Sequence, residues 1–124
     1  LRGARCKRGG EISQFLRKRR EIMGKEIILY NLADNVTDAQ YLDFVKKEKG
    51  PTLKSLPSVK KYELVRIKGA KTGEVPFNYV GILHVKSLDE FYAKGTTSKK
   101  FQDLMAKMMP MFKNIHILYG EEIY

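Results

Sequence analysis

The chain of 124 residues is long enough for one domain and too short for two, and it can bury a core without covalent staples. With 43% hydrophobic and 31% charged residues it reads as globular rather than disordered, and it contains no apolar run of the ~18 residues a membrane span needs. Cys6 is the only cysteine, which excludes an internal disulfide framework and fits a reducing, cytoplasmic setting. The first residues lack the apolar stretch of a signal peptide.

The net charge of +10 invites a nucleic-acid reading, but its distribution weakens that. Residues 1–22 hold eight basic side chains, among them Arg17-Lys18-Arg19-Arg20, against two acids, so most of the excess sits there. The segment has no sustained apolar periodicity. Two readings stand: a disordered basic arm that touches phosphates or an anionic surface, or a leader or added sequence ahead of a natural start at Met23. The second is the expectation, because Arg-Arg-Glu-Ile before Met23 is encodable by purine-rich codons of ribosome-binding type. Residues 23–124 are then the domain.

Along that domain, Glu26–Ala33 (EIILYNLA) reads as a strand rich in large apolar residues. Thr37 and Gln40 have capping-box spacing, and the helix they open carries Tyr41, Phe44 and Val45 on one side. Gly50-Pro51 is predicted to end it after Lys49. Val59–Lys68 alternates as a second strand, Gly69–Gly73 is a polar hairpin loop, and Phe77–Val85 is a third strand. Ser87 and Glu90 open a short helix that Gly95 stops. Thr97 or Ser98 starts a longer one, with Phe101, Leu104, Met105, Met108 and Met109 in a helical stripe and Pro110 at its end. Ile115–Ile123 is the last strand.

The order β-α-β-β-α-β is the split-βαβ, ferredoxin-like signature of the α+β class, a four-stranded antiparallel sheet with both helices on one face. In the third strand Phe77, Tyr79, Leu83 and Val85 point one way, and Val80 and Ile82 the other. Ile27 and Leu29 likewise oppose Ile28 and Tyr30 in the first strand. A sheet with one wet face shows polar alternation, and this one does not. Helices cover one face only, so the other is predicted to pair with a second copy, giving a homodimeric barrel.

That arrangement resembles the dimeric α/β-barrel superfamily. The segment Phe44-Val45-Lys46-Lys47-Glu48-Lys49-Gly50-Pro51-Thr52-Leu53-Lys54-Ser55-Leu56-Pro57-Ser58-Val59-Lys60-Lys61-Tyr62 is similar to the EthD-type pattern of a helix closing in a His-x-Pro-Leu-like turn, followed by a Leu-Pro-Gly-Leu-Arg-Arg-Tyr-like start to the second strand. Ser98-Lys99-Lys100-Phe101-Gln102-Asp103-Leu104 resembles the family's second long helix. Lys49 stands where that pattern has histidine, so histidine-dependent chemistry does not carry over at that place. The HapK-like (REDY-like) group of the same superfamily is an equal neighbour. The resemblance implies a small protein tied to the metabolism of a hydrophobic, often aromatic compound. Superfamily members include monooxygenases, isomerases, cyclases and simple binders.

Candidate catalytic residues are His84, His116 and Lys49. With the first and third strands taken as parallel neighbours, Asn31, His84 and His116 fall at one end of the sheet, where histidines that titrate near neutral pH would transfer protons or anchor a polar group. The bland alternative is two rim histidines bonded to backbone. Asp34 is the only obvious further ligand nearby, too few for a metal, and no metal or cofactor is expected. Lys49 is an anion clamp or, if desolvated, an amine base; otherwise it is a last-turn lysine facing the helix dipole. Tyr30, Tyr62, Arg66 and Tyr79, with Asn31, are candidate substrate contacts between sheet and helices, against the plainer reading of core or dimer contacts. Met105, Met108, Met109 and Met111 are core filler or a soft pocket wall. Gly69–Gly73 lacks P-loop spacing, and no nucleophile elbow or paired-carboxylate signature is present.

The expected function is binding of a small apolar or aromatic metabolite by a homodimer, with a cofactor-free reaction of oxygenase or isomerase type; the alternative is a non-enzymatic binding or accessory protein on the same scaffold. Nucleic-acid binding is disfavoured, because no RNP-like run is present and the charge is mainly in residues 1–22.

Overall fold

A computed structural model describes residues 24–124. The basic segment, and with it the reading of a start at Met23, lies outside the described residues. β1 (Gly24–Leu32) leads through a turn to Thr37, whose Oγ1 accepts the Gln40 N–H at 3.1 Å while Gln40 Oε1 accepts the Thr37 N–H at 2.9 Å. This capping box starts α1 (Asp38–Phe44).

The helix does not stop at Gly50-Pro51. It widens into a π-helical turn over Val45–Lys49 and continues as α2 (Gly50–Lys54). Gly50 is right-handed (φ −59°, ψ −56°) rather than a left-handed cap, and its N–H bonds Val45 O across the wide turn. The reason is the proline. Inside an α-helix its ring meets the carbonyl four residues back and it offers no N–H; a π turn just before it absorbs both defects.

β2 (Val59–Arg66) and β3 (Tyr79–Val85) form the next hairpin, joined by a longer connection than the glycine-bracketed loop alone. Ser87 caps α3 (Leu88–Glu90), which passes through a second π turn, Phe91–Gly95; Ser98 caps α4 (Lys99–Met108). A 3₁₀ turn at Met109–Met111 accommodates Pro110, and β4 (Phe112–Glu121) begins directly after it, earlier than the sequence suggests.

The sheet order is β2-β3-β1-β4 and every neighbouring pair is antiparallel, a ferredoxin-like α+β fold. The expected parallel pairing of β1 with β3 is therefore wrong. The crossover helix makes β1 and β2 parallel, and β3, a hairpin return from β2, is inserted between them in the opposite sense. Asn31 and His84 accordingly fall at opposite ends: Asn31 pairs with Lys113, whereas His84 pairs with Lys25 and Lys61.

The pleat divides the sheet as the alternation indicates, except for Phe77, which lies ahead of β3 and packs against His116 of the outer face. Tyr30, Tyr79, Leu83 and Val85 face the helices and are buried. One core cluster joins Leu83 and Val85 to Leu53, Leu56, Phe91 and Leu104; another joins Tyr30, Tyr41 and Tyr79. The outer face presents Ile27, Leu29, Val80 and Ile82 half-buried, with Val65 47% and Leu118 51% exposed. Among the described residues no helix covers it. A β-bulge opposite Tyr30 shifts the β1–β4 register between Leu29 and Asn31, with Asn114 in the left-handed region (φ 55°) that asparagine tolerates.

Gly50→Ala would place a Cβ 2.9 Å from Val45 O in the π turn. A backbone atom cannot yield as a side chain can, so the expected loss is about 1–3 kcal/mol of unfolding free energy in urea titration.

Candidate functional site

The π turn decides which side chain enters the core. In an unbroken helix of 3.6 residues per turn, the residue two turns beneath Tyr41 is Glu48. One extra residue in the turn moves Lys49 into that place, and Glu48 swings outward to bond Lys107 at 2.6 Å. Lys49 is 2% exposed. Its Nζ donates to Tyr41 Oη at 2.6 Å and to Tyr30 Oη at 3.3 Å, and the two phenols bond one another. Four ring centroids surround the nitrogen: Phe112 at 5.0 Å, Tyr30 at 5.1 Å, Tyr41 at 5.2 Å and Tyr62 at 5.5 Å. Among the described residues no carboxylate lies within ion-pair distance of it. Burial pulls the ammonium down from its ordinary 10.5 to about 7.

Lys49 stands on the wall of a cavity of about 370 Å³ between the sheet and the helices. The lining is largely apolar: Ile28, Leu53, Leu83, Phe101, Ile117 and the methionines Met105, Met108 and Met109. Tyr62, Glu26 and Tyr92 add polar atoms. The Tyr62 hydroxyl is buried and is the one buried side-chain oxygen or nitrogen without a hydrogen-bond partner among the described residues. Glu26 is 8% exposed and accepts a bond from Tyr92 Oη at 2.7 Å; burial raises its carboxyl above the usual range. Burial also raises the phenols of Tyr30, Tyr41 and Tyr62, so all three stay protonated at neutral pH.

Of the residues read from the sequence, Lys49, Tyr30 and Tyr62 meet at this place. Tyr79 stacks on Tyr30 (centroids 5.6 Å apart), but its hydroxyl turns to Asp38, which also pairs with Arg66 at 3.1 Å. Desolvation and that carboxylate push the Tyr79 hydroxyl up to about 12. Asn31 fastens the loop before β3, with Oδ1 accepting the Asn78 N–H at 2.9 Å and Nδ2 donating to Pro76 O at 3.2 Å. Tyr79, Asn31 and Asp38 border a separate shallow polar hollow.

The histidines do not converge. Both lie on the outer face; their register partners on β1, Lys25 and Leu29, are four residues apart. That puts them roughly 13 Å apart along the strands and about 10 Å across them. His84 Nε2 is 2.5 Å from Glu63 Oε1, and His116 packs edge-on against Phe77. Among the described residues no group of His, Cys, Asp or Glu could hold a metal ion, and no helix is long and apolar enough to cross a membrane.

Glu26 escaped the sequence reading. The signal was present: it shares strand parity with Ile28 and Tyr30, so a carboxylate had to sit on the buried face.

Residues 24–123 match the family described as REDY-like protein HapK. The chain belongs to this family. HapK from Hahella chejuensis has the same fold, with a TM-score of 0.68 at 21% identity over 81% of this chain and 92% of that one. A dimeric ferredoxin-like protein of unknown function from Thermobifida fusca aligns with a TM-score of 0.66 at 17% identity, covering 83% of this chain and 93% of the other. SnoaB, a cofactor-independent oxygenase from Streptomyces nogalater, aligns at 0.66 and 10% identity, covering 82% and 94%. No curated protein sequence matches the chain. At these identities the structural likenesses establish the fold alone.

The depressed Lys49 pKa has a consequence for stability. The unfolded lysine stays protonated up to its ordinary 10.5, while the folded one loses its proton near 7. Folding therefore bears the full cost of burying the cation below about pH 7, and stability rises as pH climbs from there toward 10.5, by up to ~1.4 kcal/mol per unit. Urea titrations at pH 6 to 9 are expected to show this rise in the native chain and its loss in Lys49→Met.

Proposed function

We propose that two copies of the chain pair through their outer sheet faces, and that each cavity receives a small apolar or aromatic molecule on which Lys49 acts as a cofactor-free amine base. The observation that carries this reading is the cavity itself: an apolar space of about 370 Å³ whose wall holds a buried amine that makes no ion pair among the described residues. A volume of that size suits a small metabolite, and sites of this kind combine apolar walls with few polar groups.

The chemistry follows from the amine. A general base works best with a pKa near the working pH, and burial holds Lys49 at about 7. Removing a proton from a weakly acidic ligand opens both isomerisation and oxygenation without a bound cofactor. The unpartnered Tyr62 hydroxyl offers a hydrogen bond to a polar atom of the ligand. The fold likeness to a cofactor-independent oxygenase agrees with this chemistry, and the dimeric Thermobifida neighbour agrees with the pairing.

Calorimetric titration with 1-naphthol tests the cavity. Binding is expected, and Met105→Trp, which fills the space, is expected to weaken it at least about tenfold, or ~1.4 kcal/mol. Unchanged affinity would remove the cavity from consideration. Sedimentation equilibrium at micromolar concentration is expected to give twice the subunit mass, and Ile82→Lys on the outer face to give one subunit mass. A native chain that sediments as a monomer would overturn the pairing.

A further inference from the structure

We propose that Lys49 is also a nucleophile: its amine adds to the carbonyl carbon of an apolar aldehyde or ketone held in the cavity and forms an imine with it. This rests on the cavity being a small-molecule site and names the functional group its ligand carries.

Two N–H groups of Lys49 are taken by Tyr41 Oη at 2.6 Å and Tyr30 Oη at 3.3 Å. On a neutral amine the remaining tetrahedral position is the lone pair. On an ammonium it is a third N–H, and among the described residues no acceptor serves it. Glu26 borders the same cavity yet bonds Tyr92 and makes no ion pair with Lys49. Two positions on the nitrogen are thus engaged by phenols and the third has no oxygen or nitrogen acceptor among the described residues; when the amine is uncharged, that third position is its lone pair. Desolvated lysines in apolar pockets are activated for carbonyl addition in this way.

The step balances within the site. The nitrogen lone pair forms the C–N bond as the C=O π pair moves to oxygen, where the Tyr62 hydroxyl, unpartnered and on the same wall, can donate a hydrogen bond. One N–H proton passes to that oxygen to give the carbinolamine. The second N–H proton and the hydroxyl then leave as water, and the C=N bond forms. No electrons are gained or lost. The surrounding rings of Tyr30, Tyr41, Tyr62 and Phe112 keep bulk water from reversing the condensation.

The test uses the full chain with benzaldehyde and sodium cyanoborohydride near pH 7, with peptide mapping of the benzyl groups fixed on lysines, and calorimetry with benzyl alcohol as the probe that lacks a carbonyl. At that pH about half of Lys49 is free amine, and the cavity holds the aldehyde beside it, so the expected result is labelling of Lys49 at least about tenfold faster than of Lys71 or Lys54. Met105→Trp is expected to suppress it. Benzyl alcohol that binds in a Met105→Trp-sensitive manner, with Lys49 labelled no faster than the exposed lysines, overturns the imine and leaves the cavity reading intact. Neither probe binding, with labelling spread evenly over exposed lysines, overturns both.

Discussion

The structure turns on a count of residues in one helical turn. Between Tyr41 and Pro51 the chain has one residue more than a regular α-helix would place there, and the proline supplies the reason. The ring cannot be accepted by the preceding turn without a clash and a lost hydrogen bond, so the turn widens. Widening rotates the charged run Lys46–Lys49 such that a lysine, not a glutamate, projects under Tyr41. Had the helix stayed regular, Glu48 would face the phenols and the buried group would be an acid. The identity of the ionisable group buried beside the cavity is set by the backbone geometry of the turn that carries it.

Around that amine the rest of the inner face is arranged to tolerate it. An unpaired ammonium in an apolar interior costs several kcal/mol, and two responses are available: supply a counter-charge or release the proton. Here the neighbours are phenols and π faces, which soften the cost without cancelling it. The carboxyl of Glu26 meets its own desolvation with a tyrosine hydroxyl in the same manner. The cavity wall thus holds an amine and a carboxyl that are each hydrogen-bonded to tyrosine hydroxyls and do not neutralise one another.

The fold was legible in the sequence because its signals are local and repeated. A capping box at Thr37, a serine cap at Ser87, alternation in β3 and the methionine stripe each fix an element by short-range chemistry, and their order gives the β-α-β-β-α-β pattern. The two-faced sheet was also readable, since Val80 and Ile82 must oppose Leu83 whatever the tertiary context. The site was legible only in part. Lys49 and Tyr62 were visible as residue types, but the burial of Lys49 depends on a π turn that no periodicity announces; the proline after Gly50 was its only trace, and it reads equally as a stop. The histidines were misplaced for a different reason. Their convergence required β1 and β3 to be parallel, and strand sense is set by the crossover, not by any feature of His84 or His116.

The bulge opposite Tyr30 gives β4 a phase change. Before it, Phe112 faces inward and lies 4.2 Å (ring centroids) from Tyr30, closing the phenol cage; after it, Ile117 and Tyr119 line the cavity while His116 and Leu118 face outward. Without the extra residue, one strand could not present an aromatic lid and a cavity wall on the same side. The bulge therefore acts as a phase joint: the pleat of β4 is reset at Asn114, so Phe112 before it and Ile117 and Tyr119 after it, residues of differing parity, all face inward. A change on one side of the joint need not propagate in register past it.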